Sequence, residues 1–207
     1  MSQSSFAIFL IIVPLLLVSV SVHEFAHGWV AYLLGDTTAK DSGRLTLNPF
    51  AHVDRMGMVV VPILLALTIG IPFGWAKPVP VNAMNLRNPK RDMIWVALAG
   101  PVSNIILAFL GVMIIKAGLF SGESLLSIAL MFFVIMNLSL ACLNVLPIPP
   151  LDGSRVLSAL LPRRQAITYA RLEPYGFLIV LALLYFGFVG TWIRAGMGFF
   201  LNLFGLY

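Results

Sequence analysis

The feature that most limits the possible folds is an apolar run over residues 6–34 that carries His23, Glu24 and His27 near its end. A helix rising ~1.5 Å per residue makes this run longer than a hydrocarbon core of roughly 30 Å requires. An ionisable side chain inside a bilayer costs roughly 2.5–3.5 kcal/mol on insertion scales, so polar groups there need a reason. Helical residues four apart lie on one face, which lets His23 and His27 grip one metal ion together. Glu24 stands one step round the same turn, placed to take a proton from water activated by that ion. The plainer reading is a structural zinc or a polar contact between helices. It is the weaker one, because the chain has only three histidines and two of them bracket a glutamate at ligand spacing.

The rest of the chain agrees with a membrane setting. Of its 207 residues, 60% are hydrophobic and 10% charged, and the mean hydropathy is +0.99. That is the composition of a polytopic membrane protein. The length suits a single integral-membrane domain over residues 1–207 and leaves no room for a sizeable soluble module. The formal net charge is +5. Its basic residues flank apolar spans and form no continuous face, so the lipid bilayer is the expected partner and nucleic acid is not. Cys142, the only cysteine, cannot form an internal disulfide and reads as a buried, inert thiol. Met1 to Ser5 contains no Lys or Arg, and the apolar run after it holds the motif itself, so no cleaved leader is expected.

The fold class expected is an all-α bundle of about five apolar segments with a small β-like or extended loop element. Gly35 and Asp36 end the first segment, and a polar stretch over residues 40–54 has a β-like piece near Arg44 and Leu47. Residues 56–71 are apolar but short and interrupted by Pro62, which fits a brief span or a re-entrant segment. Residues 72–81 are Pro-rich and alternating, hence extended. They read either as a connecting loop or as an edge that pairs with an unwound substrate strand. Residues 93–115 and 125–146 are clear spans joined by a turn over 121–124, and a last span runs from 175 to about 193 or beyond. Lys77, Arg87, Lys90 and Arg91 precede one span, and Arg155, Arg163, Arg164 and Arg171 follow the next. Positive residues favour the cytoplasm, so these loops and the one after the histidines face inward and residues 56–71 re-enter.

Catalytic zinc takes a third protein ligand and keeps one open position. Asp152 is the favoured candidate. It follows a proline-rich break at the end of an apolar span, beside Gly153, where a carboxylate can turn into the bundle. His52 is its main rival, and Asp54, Asp92, Glu123 and Glu173 lie in loops or at span ends. Asn104 and Asn144 are polar residues within spans. They read either as contacts between helices or as groups near the site.

Three motifs, in order, carry a resemblance over most of the chain. They are His23-Glu24-Phe25-Ala26-His27, Gly100-Pro101-Val102-Ser103-Asn104, and the stretch from Asn144 through Pro147, Pro149 and Pro150 to Leu151-Asp152-Gly153. They resemble the HExxH, GxxxN and NxxPxPxLDG motifs of site-2 protease-like intramembrane metalloproteases. The resemblance implies one zinc ion held by His23, His27 and Asp152, with Glu24 as general base. It also implies that Asn144, and Asn104 with it, position substrate or stabilise the developing oxyanion. Transmembrane proteins would be the substrates, and the prokaryotic cytoplasmic membrane the location, with the site toward the cytoplasm. With no PDZ or CBS module expected, the chain looks like the minimal bacterial or archaeal branch.

Two rival functions remain at this stage. A divalent-metal transporter would line a path with acids or histidines on several helices. Here the intramembrane acids are essentially Glu24 and Asp152, both used by one site. An inactive membrane scaffold of the same fold would have no need to keep Glu24. The substrate, any regulatory partner and the oligomeric state are not legible in the residues.

Overall fold

A computed structural model of the chain describes residues 3–70, 74–118 and 124–206. The expected turn over 121–124 lies almost wholly outside them, as does Glu123. Among the described residues the chain is helical and no strand forms. The β-like piece near Arg44 and Leu47 is irregular backbone. Its Arg44 guanidinium instead donates to the carbonyls of Lys77 and Pro78, at 2.9 and 3.3 Å, on the neighbouring extended segment.

The first helix, α1, spans Gln3–Leu33. A short turn of helix, α2, covers Thr38–Asp41, and α3 covers Val61–Ile69. The long helix α4 spans Pro89–Lys116, with proline at its start, where a missing N–H costs nothing. The Asp92 carboxylate accepts from the Asn88 N–H at 2.8 Å and closes that first turn. Helix α5 spans Leu125–Asn144 and is capped by the Ser124 hydroxyl. Then come α6 at Asp152–Leu160, α7 at Arg163–Ala170, α8 at Gly176–Tyr185 and α9 at Phe188–Leu203. Helix α4 is central and packs against α1, α5 and α6.

Among the described residues, four stretches are long and apolar enough to cross a membrane: Ile11–Leu33, Pro89–Lys116, Leu125–Asn144 and Arg163–Tyr185. The chain is a multi-pass membrane protein. The last expected span, 175 to about 193, is not one helix. It breaks between α8 and α9 at Gly187, whose φ of 81° terminates α8 and which side chains with a Cβ rarely adopt. Helix α9 then runs back along α5. The Trp192 indole donates to the Cys142 carbonyl at 2.7 Å, and Leu201 joins Ala108, Val112, Val134 and Leu138 in a buried cluster.

The segments that flank the stretch 56–69 meet. The Trp75 N–H donates to the Gly57 carbonyl at 3.1 Å, and the Lys77 N–H donates to the His52 carbonyl at 3.0 Å. The two ends of the excursion therefore lie side by side, which favours re-entry over a full crossing. The approach needs glycine: a Cβ on Gly57 would strike the Trp75 carbonyl, and one on Gly74 the Gly57 carbonyl. The two basic regions also meet, since Lys90 donates to the Leu161 carbonyl at 2.6 Å.

Cysteines introduced singly at exposed Asn48 and Asn82, in a Cys142→Ala background, test the excursion. Both are expected to react with an impermeant maleimide from one side of the membrane. Labelling from opposite sides would mean that residues 56–69 cross.

Candidate metal centre

His23 and His27 project from one face of α1 and are both buried. The proline-rich stretch after α5, which includes a cis Pro149–Pro150 peptide, reverses the chain and starts α6 at Asp152. This brings a carboxylate from late in the chain onto the two imidazoles. His23 Nε2 is 3.1 Å from His27 Nε2 and 3.1 Å from Asp152 Oδ2, and His27 Nε2 is 3.2 Å from Asp152 Oδ2. Among the described residues, these three form the group of His, Cys, Asp and Glu able to hold a metal ion.

The hydrogen bonds behind the imidazoles decide what those three atoms need. His23 Nδ1 lies 2.6 Å from the Asn104 side-chain oxygen, and His27 Nδ1 lies 2.6 Å from the Val96 carbonyl. Both oxygens only accept, so each imidazole donates from Nδ1 and, in its neutral form, leaves Nε2 bare. Two bare nitrogens and a carboxylate oxygen then point at one another within 3.2 Å. Lone pairs so placed repel unless a cation lies among them. The spacing suits one. Tetrahedral zinc with bonds of ~2.0–2.1 Å holds its ligand atoms roughly 3.3–3.4 Å apart. Two imidazoles and a carboxylate are also a donor set that zinc accepts.

Gly100 makes room for this arrangement. A Cβ there would stand 2.6 Å from His23 Nε2 and closer still to His27 Nε2. Helix α4 can thus bring its backbone against the imidazoles, which is how the Val96 carbonyl reaches His27.

Glu24 is half-buried beside the pair, and its Oε2 accepts from the Val79 N–H at 2.8 Å. Val79 belongs to the extended segment 74–82, whose far end is fixed by the Asn82 N–H donating to Asp36 Oδ2 at 2.7 Å. Burial pushes the Asp36 carboxyl upward, but hydrogen bonds from Thr38, Asn82 and Asn85 outweigh it and hold it below the usual carboxylate range.

The remaining candidates separate cleanly. His52 is buried but away from the cluster, with Nε2 on the Thr46 carbonyl at 2.9 Å. The Asp54 carboxylate accepts from the N–H groups of Met56 and Gly57, and Asp92 is spent on Asn88. Glu173 is exposed in a short turn. Asn144, at the end of α5, donates to the Leu140 carbonyl at 3.0 Å. Asn104 is fully buried, and both ends of its amide are used behind His23. Sequence reasoning missed Asn137, which is fully buried and bonded to Asn104 at 2.8 Å. The available signal was an amide in the middle of the apolar run of α5.

Comparisons with known proteins point the same way. The model of a family described as peptidase family M50 matches residues 113–187. The chain is 42% identical over 175 residues to "Putative zinc metalloprotease YwhC" of Bacillus subtilis, covering 81% of this chain and 77% of that protein. It is 30% identical over 188 residues to "Putative zinc metalloprotease Rip2" of Mycolicibacterium smegmatis, covering 89% and 70%. A shorter match, 48% over 62 residues, links it to "Putative zinc metalloprotease MJ0611" of Methanocaldococcus jannaschii, covering 30% and 31%. No solved structure matches the chain significantly.

Two outcomes are expected from these contacts. Gly100→Ala should cost at least tenfold in zinc affinity by forcing the imidazoles apart, read by chelator competition, a loss on the scale of disturbing a ligand's support. The Asp36 carboxyl, depressed in the fold, gives stability that is full above its unfolded value of ~3.9 and is lost as pH falls through the lower folded value. Asp36→Asn is expected to remove that acid dependence from the proteolytic resistance of segment 74–82.

Proposed function

The chain belongs to peptidase family M50, the site-2 protease family of metalloproteases, and from that membership we propose that it is an intramembrane zinc endopeptidase. On this reading it is one integral-membrane domain in the prokaryotic cytoplasmic membrane. It hydrolyses peptide bonds within or near transmembrane segments of other membrane proteins. The observation that carries the proposal is the triangle of two imidazole Nε2 atoms and a carboxylate oxygen, each within 3.2 Å of the others.

Zinc held by His23, His27 and Asp152 would polarise the scissile carbonyl and make water nucleophilic near neutral pH. Glu24, next to His23 on α1, is assigned the general base. It accepts the proton of the attacking water and returns it to the leaving amine. Its bond from the Val79 N–H holds one carboxylate oxygen in place and leaves the other to work.

Asn144 is the proposed oxyanion donor. One amide hydrogen is spent on Leu140, which leaves the second for substrate. A donor of this kind lowers the barrier by roughly 2.7–4 kcal/mol. Asn104 is assigned to His23 and not to substrate, because its amide is already fully engaged.

A helical substrate must unwind before it can be cut, since its own backbone ladder shields the peptide bond. Segment 74–82 suits the unwound form. The N–H groups of Trp75, Lys77 and Val79 are used inward. On the opposite alternation, Pro78 and Pro80 have no N–H, and with the Pro78 carbonyl already accepting from Arg44 that edge offers the carbonyls of Ala76 and Pro80. Substrate N–H groups are the proposed partners of those carbonyls. The meeting of the two basic regions at Lys90 and Leu161 supports a cytoplasmic position for this end of the bundle.

Purified Glu24→Gln protein is expected to keep its zinc and lose ~10²–10⁴-fold in cleavage of a transmembrane peptide. Asp152→Ala is expected to lose zinc itself, read by metal analysis after gel filtration. Wild-type cleavage by the Glu24→Gln protein would falsify the assigned base. Amino-terminal fragments that differ between cells with wild-type and Glu24→Gln protein would name the substrate.

A further inference from the structure

The two imidazoles are held in unlike ways. His27 leans on a main-chain carbonyl, that of Val96, which no side-chain change removes. His23 leans on the Asn104 side chain, and an amide can present either its oxygen or its NH2. Which end faces His23 decides which ring nitrogen carries the proton. An oxygen keeps the proton on Nδ1 and frees Nε2. An NH2 would reverse the tautomer and put the proton on the nitrogen that must bind metal.

Asn137 makes that choice. Its Oδ1 accepts from Asn104 Nδ2 at 2.8 Å. The other acceptor of that NH2, the Ser19 carbonyl, is distant at 3.4 Å. Asn137 is itself fixed, because its NH2 donates to the Phe133 carbonyl and to Ser19 Oγ, both at 2.9 Å. The Ser19 hydroxyl donates onward to the Leu15 carbonyl at 2.8 Å and so meets Asn137 as an acceptor. Asn104, Asn137 and Ser19 are all fully buried. The polarity of every link is therefore set by a main-chain carbonyl, and it runs from α5 through α4 to His23 on α1.

We propose that Asn137 is a positioning residue for the metal centre, which orients the Asn104 amide and so keeps His23 in the tautomer whose Nε2 is free to bind a cation. The inference rests on reading the cluster as a metal site. It needs no contact between Asn137 and either metal or substrate.

The test uses full-length protein in detergent. Zinc affinity is measured by chelator competition, and the visible spectrum of the Co²⁺-loaded protein reports ligand geometry. Asn137→Leu is expected to lose ~10–100-fold in affinity, the usual cost of removing a partner behind a metal ligand. The deciding variant adds Asn104→Asp to Asn137→Leu. A carboxylate has no NH2 to present, so His23 regains its tautomer without Asn137. Recovery to within about threefold of wild type, with a wild-type cobalt spectrum, is expected, since that residual is small beside the ~10–100-fold loss. A purely packing role for Asn137 would not be rescued by a change at Asn104.

If Asn137→Leu does not fold, Asn137→Asp decides. It keeps an acceptor for Asn104 but loses the bonds to Phe133 and Ser19. Near-wild-type affinity supports the proposal, and a loss of tenfold or more overturns it. Unchanged affinity in Asn137→Leu, or a loss that Asn104→Asp fails to repair, also overturns it. Failure of the wild-type protein to bind zinc or cobalt would instead refute the metal reading beneath it.

Discussion

Three electron-rich atoms aimed at one point inside an apolar bundle are the constraint on which the rest of the structure depends. Left alone, His23 Nε2, His27 Nε2 and Asp152 Oδ2 repel, and little water is available to screen them. The fold holds them together through atoms on every side. Asn104 and Val96 fix the imidazoles from behind, and the turn into α6 delivers the carboxylate from the front. Such an arrangement is poorly suited to stability on its own account. It becomes favourable when a divalent cation supplies the missing charge, which ties metal binding to the packing of α1, α4 and α6.

Packing is also what sets the scale of the site. Helix α4 comes so close to α1 because Gly100 has no side chain, and that closeness puts a backbone carbonyl within 2.6 Å of His27. A larger residue would have to move either the imidazoles or the helix. The same logic recurs at Gly57 and Gly74, where two backbones meet and fix the base of the excursion. Segment 74–82 emerges from that junction and crosses α1 at Glu24. The excursion, the extended segment and Glu24 are thus mechanically joined.

Much of this was legible in the residues because membrane chains carry few polar groups. His23, His27 and Asp152 stood out against an apolar background, and helical periodicity placed the first two on one face. Residue spacing also located the spans that became α4 and α5. It could not foresee the break at Gly187, since a glycine in an apolar run also fits an unbroken membrane helix. It left Asn104 open between a contact of helices and a group near the site for a similar reason. A polar residue near a site looks functional from sequence, but whether it faces the substrate or the back of a ligand depends on helix rotation. The contact from Val79 to Glu24 was invisible, because a main-chain N–H carries no sequence signature.

The buried amides raise a question of magnitude that bears on why they are there. Hydrogen bonds between membrane helices contribute about 0.6 kcal/mol on average and at most roughly 1.7. A group behind a metal ligand, by contrast, changes affinity by ~10–100-fold, which is about 1.4–2.7 kcal/mol. The larger effect falls on the metal centre and not on the bundle. Asn104 and Asn137 are therefore better explained by what they do to one imidazole than by what they do for the fold. On that accounting α5 takes part in the chemistry without presenting a ligand, since its rotation determines which nitrogen of His23 is free.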